Sequence, residues 1–253
     1  VARVAEIRAL GMLVIGDELL SGKRRDQHLA HVIAVLAARG MEVAWCRYEG
    51  DARERLVESL RQTRRAGVPV LCFGGIGATP DDRTRAAAAR AFEVPLLTHP
   101  QAVALIEQRF GAAAYPVRVR MAELPEGCTL IPNPDNQVPG FSLSDHHFFP
   151  GFPRMAWPML DWVLDRYYPQ RYASVVESFV RVRGVPESEL CDLMEALSDR
   201  HPGARLFSLP HLGVDTYIEL GFRGTGSAVA AAFSELVEAL AARRVSFEVA
   251  GQV

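Results

Sequence analysis

Over its first hundred residues the chain alternates between two hydrophobic patterns. Leu10 to Ile15, Val43 to Tyr48 and Val68 to Phe73 are short apolar runs of strand length. Between them, apolar residues recur three and four positions apart. Gln27 to Arg39 sets Leu29, Val32, Ile33 and Leu36 on one helical face and closes at Gly40, a natural C-terminal cap. Arg53 to Arg65 does the same with Leu56, Val57 and Leu60 in an otherwise charged helix. An alanine-rich helix from Asp81 to Phe92, a short strand at Leu96-Leu97 and a helix from Gln101 to Phe110 continue the series. This βαβαβα order predicts a mostly parallel sheet with helices on both faces. From Glu123 to Pro153, proline and glycine punctuate short strands at Thr129 to Pro132, Phe141 to Leu143 and His147 to Phe149. A helix interrupted near Pro158 follows, and Tyr167-Tyr168-Pro169-Gln170 marks a boundary. Residues 1–169 thus form the larger domain and residues 170–253 a small α+β module, read strand, helix, strand, strand, helix, strand.

In parallel sheets ligands sit beyond the carboxyl ends of the strands. Three segments belong there: Gly16-Asp17-Glu18, Gly50-Asp51, and the run Gly74-Gly75-Ile76-Gly77-Ala78-Thr79-Pro80-Asp81-Asp82. Three glycines within four residues let the backbone approach a ligand, and the helix behind them points its positive end at the turn. A phosphate is the expected guest. The paired aspartates repel it unless a metal ion or a proton donor lies between, which points to metal-assisted phosphate chemistry more than to passive anion binding. A structural helix start would look similar: Thr79 as N-cap, Pro80 in the first helical position, Asp81 and Asp82 in the first turn. The run fits neither the Gly-Lys-Ser/Thr phosphate loop nor the G-x-G-x-x-G fingerprint.

Composition narrows the classes. With 49% hydrophobic and 23% charged residues and a net charge of −2, the chain is an ordinary globular protein with no basic field for nucleic acid or an acidic membrane. No apolar run reaches a membrane span and no signal-peptide pattern opens the chain, so a cytoplasmic protein is expected. Cys46, Cys72, Cys128 and Cys191 lack C-x-x-C spacing and read as reduced thiols.

Gly16-Asp17-Glu18-Leu19-Leu20-Ser21-Gly22, Gly50-Asp51 and the glycine run through Asp82 resemble the molybdopterin-binding (MoaB/Mog-like) domain. Asn133-Pro134, Pro139-Gly140-Phe141 and Pro150-Gly151-Phe152-Pro153 extend the match. The form is most similar to the N-terminal part of CinA-type competence/damage-inducible proteins. The resemblance implies a three-layer α/β/α fold, a KH-like C-terminal module and a homo-oligomer, dimer or trimer. It implies a molybdopterin or adenine-nucleotide ligand, and a divalent metal, Mg²⁺ or Co²⁺, possibly with K⁺. Two activities come with it: molybdopterin adenylylation, and hydrolysis of ADP-ribose or FAD at the pyrophosphate. Asp51 and Asp82 would then hold the metal and act in catalysis. Gly74, Gly75 and Gly77 would cradle phosphate, with Thr79, Ser21 and Asp17 as further ligand contacts. A non-catalytic carrier or sensor is the alternative. Three departures stand out. The family's Pro is Ala78, its Asp-Thr-Asn is Asp26-Gln27-His28, and the Glu that usually follows Pro-Gly-Val-Pro-x is missing at Met155-Ala156. The deamidase domain that many such proteins carry afterwards is expected to be absent, because the chain ends at Val253.

Other constellations are weaker. His28 and His31, three apart, share a helix face that can chelate a metal. His146 and His147 would point to opposite faces of a strand. Lys23-Arg24-Arg25 is either a solvated loop or a phosphate clamp. Gly221-Phe222-Arg223-Gly224 has the outline of a nucleic-acid-binding G-x-x-G loop but lacks basic neighbours, which argues against nucleic acid and for dimerisation through the small module.

Overall fold

A computed structural model describes residues 7–213 and 215–252; residues 1–6 of the expected larger domain, Val214 and Val253 lie outside them. The chain divides into two compact units between Arg171 and Tyr172.

In the first unit β1 (Ala9–Ile15) leads through the one-turn helix α1 (Asp17–Leu20) into α2 (His28–Ala37) and β2 (Glu42–Glu49). Next come α3 (Arg53–Arg65), β3 (Val70–Phe73) and α4 (Thr84–Phe92). The remainder is β4 (Leu96–Thr98), α5 (Pro100–Phe110), β5 (Glu123–Pro125), β6 (Thr129–Ile131), β7 (Gly140–Leu143), β8 (His146–Phe149) and α6 (Pro153–Tyr167). The sheet runs β2-β1-β3-β8-β7-β6. Its first four strands pair in parallel and the last two antiparallel. β1 and β3 are apolar almost throughout because both faces of the sheet are covered. On one face Leu13, Ile15 and Cys72 pack with Leu56 and Leu60 of α3, Ala87 and Ala91 of α4, and Ile106 of α5. On the other, His28 of α2 stacks on Phe73, and His31 stacks on Trp157 of α6. The mostly parallel sheet between two helical layers is the α/β fold expected.

Two local expectations are corrected. β4 does not extend the main sheet; it pairs with β5 in a separate two-stranded ladder. With three residues and an exposed Leu97 it cannot fill a fully covered position, whereas all four residues of β8 are buried. α4 starts at Thr84, not Asp81. The Asp82 N–H closes a tight turn on the Thr79 carbonyl at 3.0 Å, so residues 79–82 are spent on the turn before the helix begins.

The second unit contains β9 (Val176–Arg183), α7 (Cys191–Arg200), β10 (Ala204–His211), β11 (Tyr217–Gly224), α8 (Gly226–Ala242) and β12 (Ser246–Gln252). Its antiparallel sheet has the order β10-β11-β9-β12. Val180, Val182, Leu220 and Phe222 of the sheet pack on Leu193 and Leu197 of α7 and Leu236 and Leu240 of α8. This is the split βαβ arrangement, a small α+β module built on an antiparallel sheet. Gly221-x-x-Gly224 lies inside β11, where a Cβ on Gly221 would run into Phe179 and Phe222 is fully buried. The segment is a close-packed strand, so it offers no loop to clamp a nucleic-acid backbone.

Candidate functional site

β2 and β3 flank β1 on opposite sides, although they follow it in sequence. The chain therefore reverses direction across the sheet at β1 and β3, and their carboxyl ends open a crevice. A cleft of about 430 Å³ lies there. Gly16 and Glu18 after β1, Asp51 after β2, the glycine turn after β3 and Pro150 to Phe152 after β8 all line it. The three segments singled out from sequence meet in this one place.

The glycines are needed for close approach. Gly74 has φ +107°, and a Cβ would strike the Ile15 carbonyl of the neighbouring strand. Gly75 has φ +68°, and its Cβ would meet the Thr84 hydroxyl. At Gly77 the obstacle is the Asp82 carboxylate. The backbone N–H groups are partly committed already. Gly74 donates to the Phe149 carbonyl at 2.9 Å and Gly77 to Asp82 Oδ1 at 2.8 Å. In this structure those two N–H groups hold the turn.

Asp82 is the knot of the turn. Besides Gly77, its Oδ2 accepts from the Thr79 N–H at 2.8 Å and the Thr79 hydroxyl at 2.6 Å. Behind the turn sits Arg85, which sequence reasoning passed over as one more charge in an alanine helix. It is buried, donating to the Gly77 carbonyl at 2.6 Å, to the Glu123 carbonyl at 3.1 Å and to the Arg120 carbonyl. Arg85 thereby ties the glycine turn to the segment whose Met121 lines the cleft.

Asp51 sits differently. It exchanges bonds with Asp17: the Asp17 N–H donates to Asp51 Oδ2 at 3.0 Å, and the Asp51 N–H to Asp17 Oδ1 at 3.1 Å. Burial raises the Asp51 pKa, the Asp17 N–H opposes this, and the charges of Asp17, Glu18 and Asp81 raise it further. Asp17 therefore braces Asp51 and does not itself line the cleft. Ser21 is corrected outright. It is exposed at the end of α1, its N–H closing that turn on the Asp17 carbonyl at 2.9 Å, and it does not reach the cleft. Thr79 lines the cleft, but its hydroxyl proton is given to Asp82.

Among the described residues, Glu18, Asp51, Asp81 and Asp82 give the cleft four carboxylates, and Arg24 is the single cationic side chain that lines it. Among the described residues no three or more His, Cys, Asp or Glu side chains are grouped to hold a metal ion. The His28–His31 chelate is not formed: His28 Nε2 faces the Gly151 carbonyl at 3.2 Å, and burial lowers the pKa of both rings. His146 and His147 do point apart, one to Thr63 and the other to Ser142 and Tyr168. Asp26 caps α2 through the N–H groups of His28 and Leu29, and none of Asp26, Gln27 and His28 lines the cleft. The opposite wall holds Asn133, Asn136 and Met155. Asn133 was visible in sequence only as part of an Asn-Pro pair, and its buried amide folds the loop by bonding Asn136 and the Val138 carbonyl. Met155, in place of the missing carboxylate, accepts from the Asn136 amide at 3.4 Å.

Among described relatives, a CinA-like protein of Citrifermentans bemidjiense is 33% identical over 194 residues, 74% of this chain and 47% of its own. A protein of Pyrobaculum calidifontis is 27% identical over 208 residues, 79% of each chain. The chain thus spans about half the length of the CinA-like relatives it matches. The crystal structure of CinA from Thermoplasma acidophilum, a protein of unknown function, aligns with a TM-score of 0.58 at 24% identity. It covers 63% of this chain and 97% of that one, and shows the shared fold. Among the described residues no helix is long and apolar enough to cross a membrane. Residues 11–170 match the family described as a probable molybdopterin binding domain, and the chain belongs to that family.

Proposed function

We propose that the cleft binds a phosphate-bearing pterin or nucleotide and performs metal-dependent phosphoanhydride chemistry. The reaction is hydrolysis of an ADP-ribose- or FAD-type pyrophosphate, or adenylylation of molybdopterin. One observation carries this reading: among the described residues, four carboxylates and one arginine line a cleft with the glycine turn at the carboxyl ends of parallel strands. A phosphate entering there meets like charge unless a cation joins it. The donors are all oxygen, which suits Mg²⁺ or a similar hard ion that completes its shell with water and phosphate oxygens. Asp51 and Asp82 would hold such an ion, which when bound neutralises phosphate charge and orients water. Asp51 is the side chain with most to gain, since its neighbours already disfavour its charge. Asp82 keeps the turn shaped while offering the same carboxylate to the cleft. Arg24, which lines the cleft, supplies a positive charge for a phosphate oxygen.

The test is AMP release from ADP-ribose and from FAD, with Mg²⁺ or Co²⁺ and K⁺, by wild type and by Asp51→Asn. Metal-dependent release that falls at least a hundredfold in the variant supports the reading. Equal release with and without metal, or an unaffected variant, overturns it.

A second reading is favoured by Met155, whose thioether occupies the wall where a carboxylate was expected. In that case the chain binds its ligand without turnover, as a carrier or sensor. Tight binding with no product over hours, and turnover gained by Met155→Glu, would select it.

A further inference from the structure

Phe152 leaves 54% of its surface exposed at the mouth of the cleft. Its structural task is done by its backbone: the Phe152 carbonyl accepts from the Met155 N–H at 3.0 Å and the Ala156 N–H at 2.9 Å, starting α6. Folding does not require a ring there. The Arg24 guanidinium covers it, 5.6 Å from the ring centroid, a cation held by the π face of an aromatic group. Among the described residues Arg24 is also the single cationic side chain lining this cleft, beside four carboxylates, so a ligand phosphate would compete for it. A volume of about 430 Å³ is within the range of sites that enclose small molecules.

We propose that Phe152 is the stacking platform for the planar heteroaromatic ring of a phosphate-bearing ligand, and that Arg24 turns from that ring to the ligand's phosphate. A ring sandwiched between the two would need about 7 Å, twice an ordinary carbon contact distance of roughly 3.5 Å. The 5.6 Å present is too little, so the ligand's ring takes the guanidinium's place. The phosphate would then lie toward the glycine turn within reach of Arg24, where Asp51 and Asp82 would hold a cation that neutralises its charge. This assignment rests on the phosphate-binding reading above. It adds that recognition includes the ring, adenine or pterin alike.

Isothermal titration of the full chain in Mg²⁺ compares ADP, neopterin monophosphate and inorganic pyrophosphate, and whichever base-bearing ligand binds identifies the ring. Phe152→Leu keeps an apolar side chain of similar size without the π face, and Phe152→Trp keeps the face. Expected is a loss on the order of 10-fold for the base-bearing ligand in Phe152→Leu, retention in Phe152→Trp, and unchanged pyrophosphate binding in both. Arg24→Gln should weaken base-bearing and base-free ligands alike. If ADP or neopterin monophosphate binds Phe152→Leu as tightly as wild type, the stacking assignment is wrong while phosphate binding stands. If wild type binds none of the three, both readings fall together.

Discussion

Asp51 and Asp82 stood side by side in the sequence argument as two metal-facing carboxylates, and the structure separates their work. Asp82 accepts three hydrogen bonds within its own turn. Asparagine keeps one acceptor oxygen and turns an amide NH₂ toward N–H donors, so Asp82→Asn should lower unfolding free energy by about 2 kcal/mol in urea titration. Asp51 behaves in the opposite way. Its pKa is raised, so the folded chain holds that proton more readily than the unfolded one, and ionising it costs stability above the folded pKa. Asp51→Asn should therefore leave the metal-free protein as stable as wild type or slightly more so at neutral pH, and remove any thermal stabilisation by Mg²⁺. A thermal shift series with and without Mg²⁺ reads both effects. A large destabilisation of metal-free Asp51→Asn would show that its bond with the Asp17 N–H outweighs the surrounding repulsion.

Among the elements, the glycine turn depends on what lies behind it. Gly75→Ala must place a Cβ at φ +68° against the buried Thr84 hydroxyl, and should cost about 2 kcal/mol or more. Arg85 works from the first turn of α4. Arg85→Met fills much of the same space but abandons the carbonyls of Gly77, Glu123 and Arg120. A loss of about 3 kcal/mol is expected, with weaker ligand binding as the turn and the Met121 segment lose their common anchor. If ligand affinity in Arg85→Met is unchanged once the protein is folded, Arg85 serves stability alone.

At the scale of the molecule, three histidines are buried among the described residues, His28, His146 and His147, and the two most depressed, His146 and His147, weigh most on its behaviour in acid. Burial depresses His146 to about 4, with the Arg64 charge adding to the effect, and His147 to about 3, helped by His146. Their unfolded value is near 6.5. Below that pH the unfolded chain binds protons that the folded chain refuses, so stability is fully present above pH 6.5 and drains as pH falls toward 4 and then 3. The two together give a slope approaching about 2.8 kcal/mol per pH unit below pH 6. Denaturant titrations between pH 7 and 4 measure it. His147→Gln should roughly halve the slope, at the cost of the bonds to Ser142 and Tyr168.

The sequence by itself determined what depends on periodicity and on rare backbone requirements. Apolar runs bounded by turn residues fixed β1, β2 and β3. The 3.6-residue spacing of Leu56, Val57 and Leu60 fixed α3, and the three glycines marked a close approach that no other residue permits. That was enough to point to the segments that line the cleft, while the family came from the resemblance of the ordered motifs and the match over residues 11–170. Tertiary structure alone decided which of several suitable residues does which task. β4 and β8 compete for one place in the sheet, and only packing on both faces selects the buried one. Asp17 and Asp51 lie 34 residues apart, and no local pattern states that they brace each other. Arg85 looks like an ordinary helix residue until the fold buries it behind the turn, and Arg24, open in sequence between a solvated loop and a phosphate clamp, is set with Phe152 at the cleft only by the fold. Local spacing encodes the conformation of a segment, whereas a side chain's partner is set by distances through space that the chain fixes only once it has closed on itself.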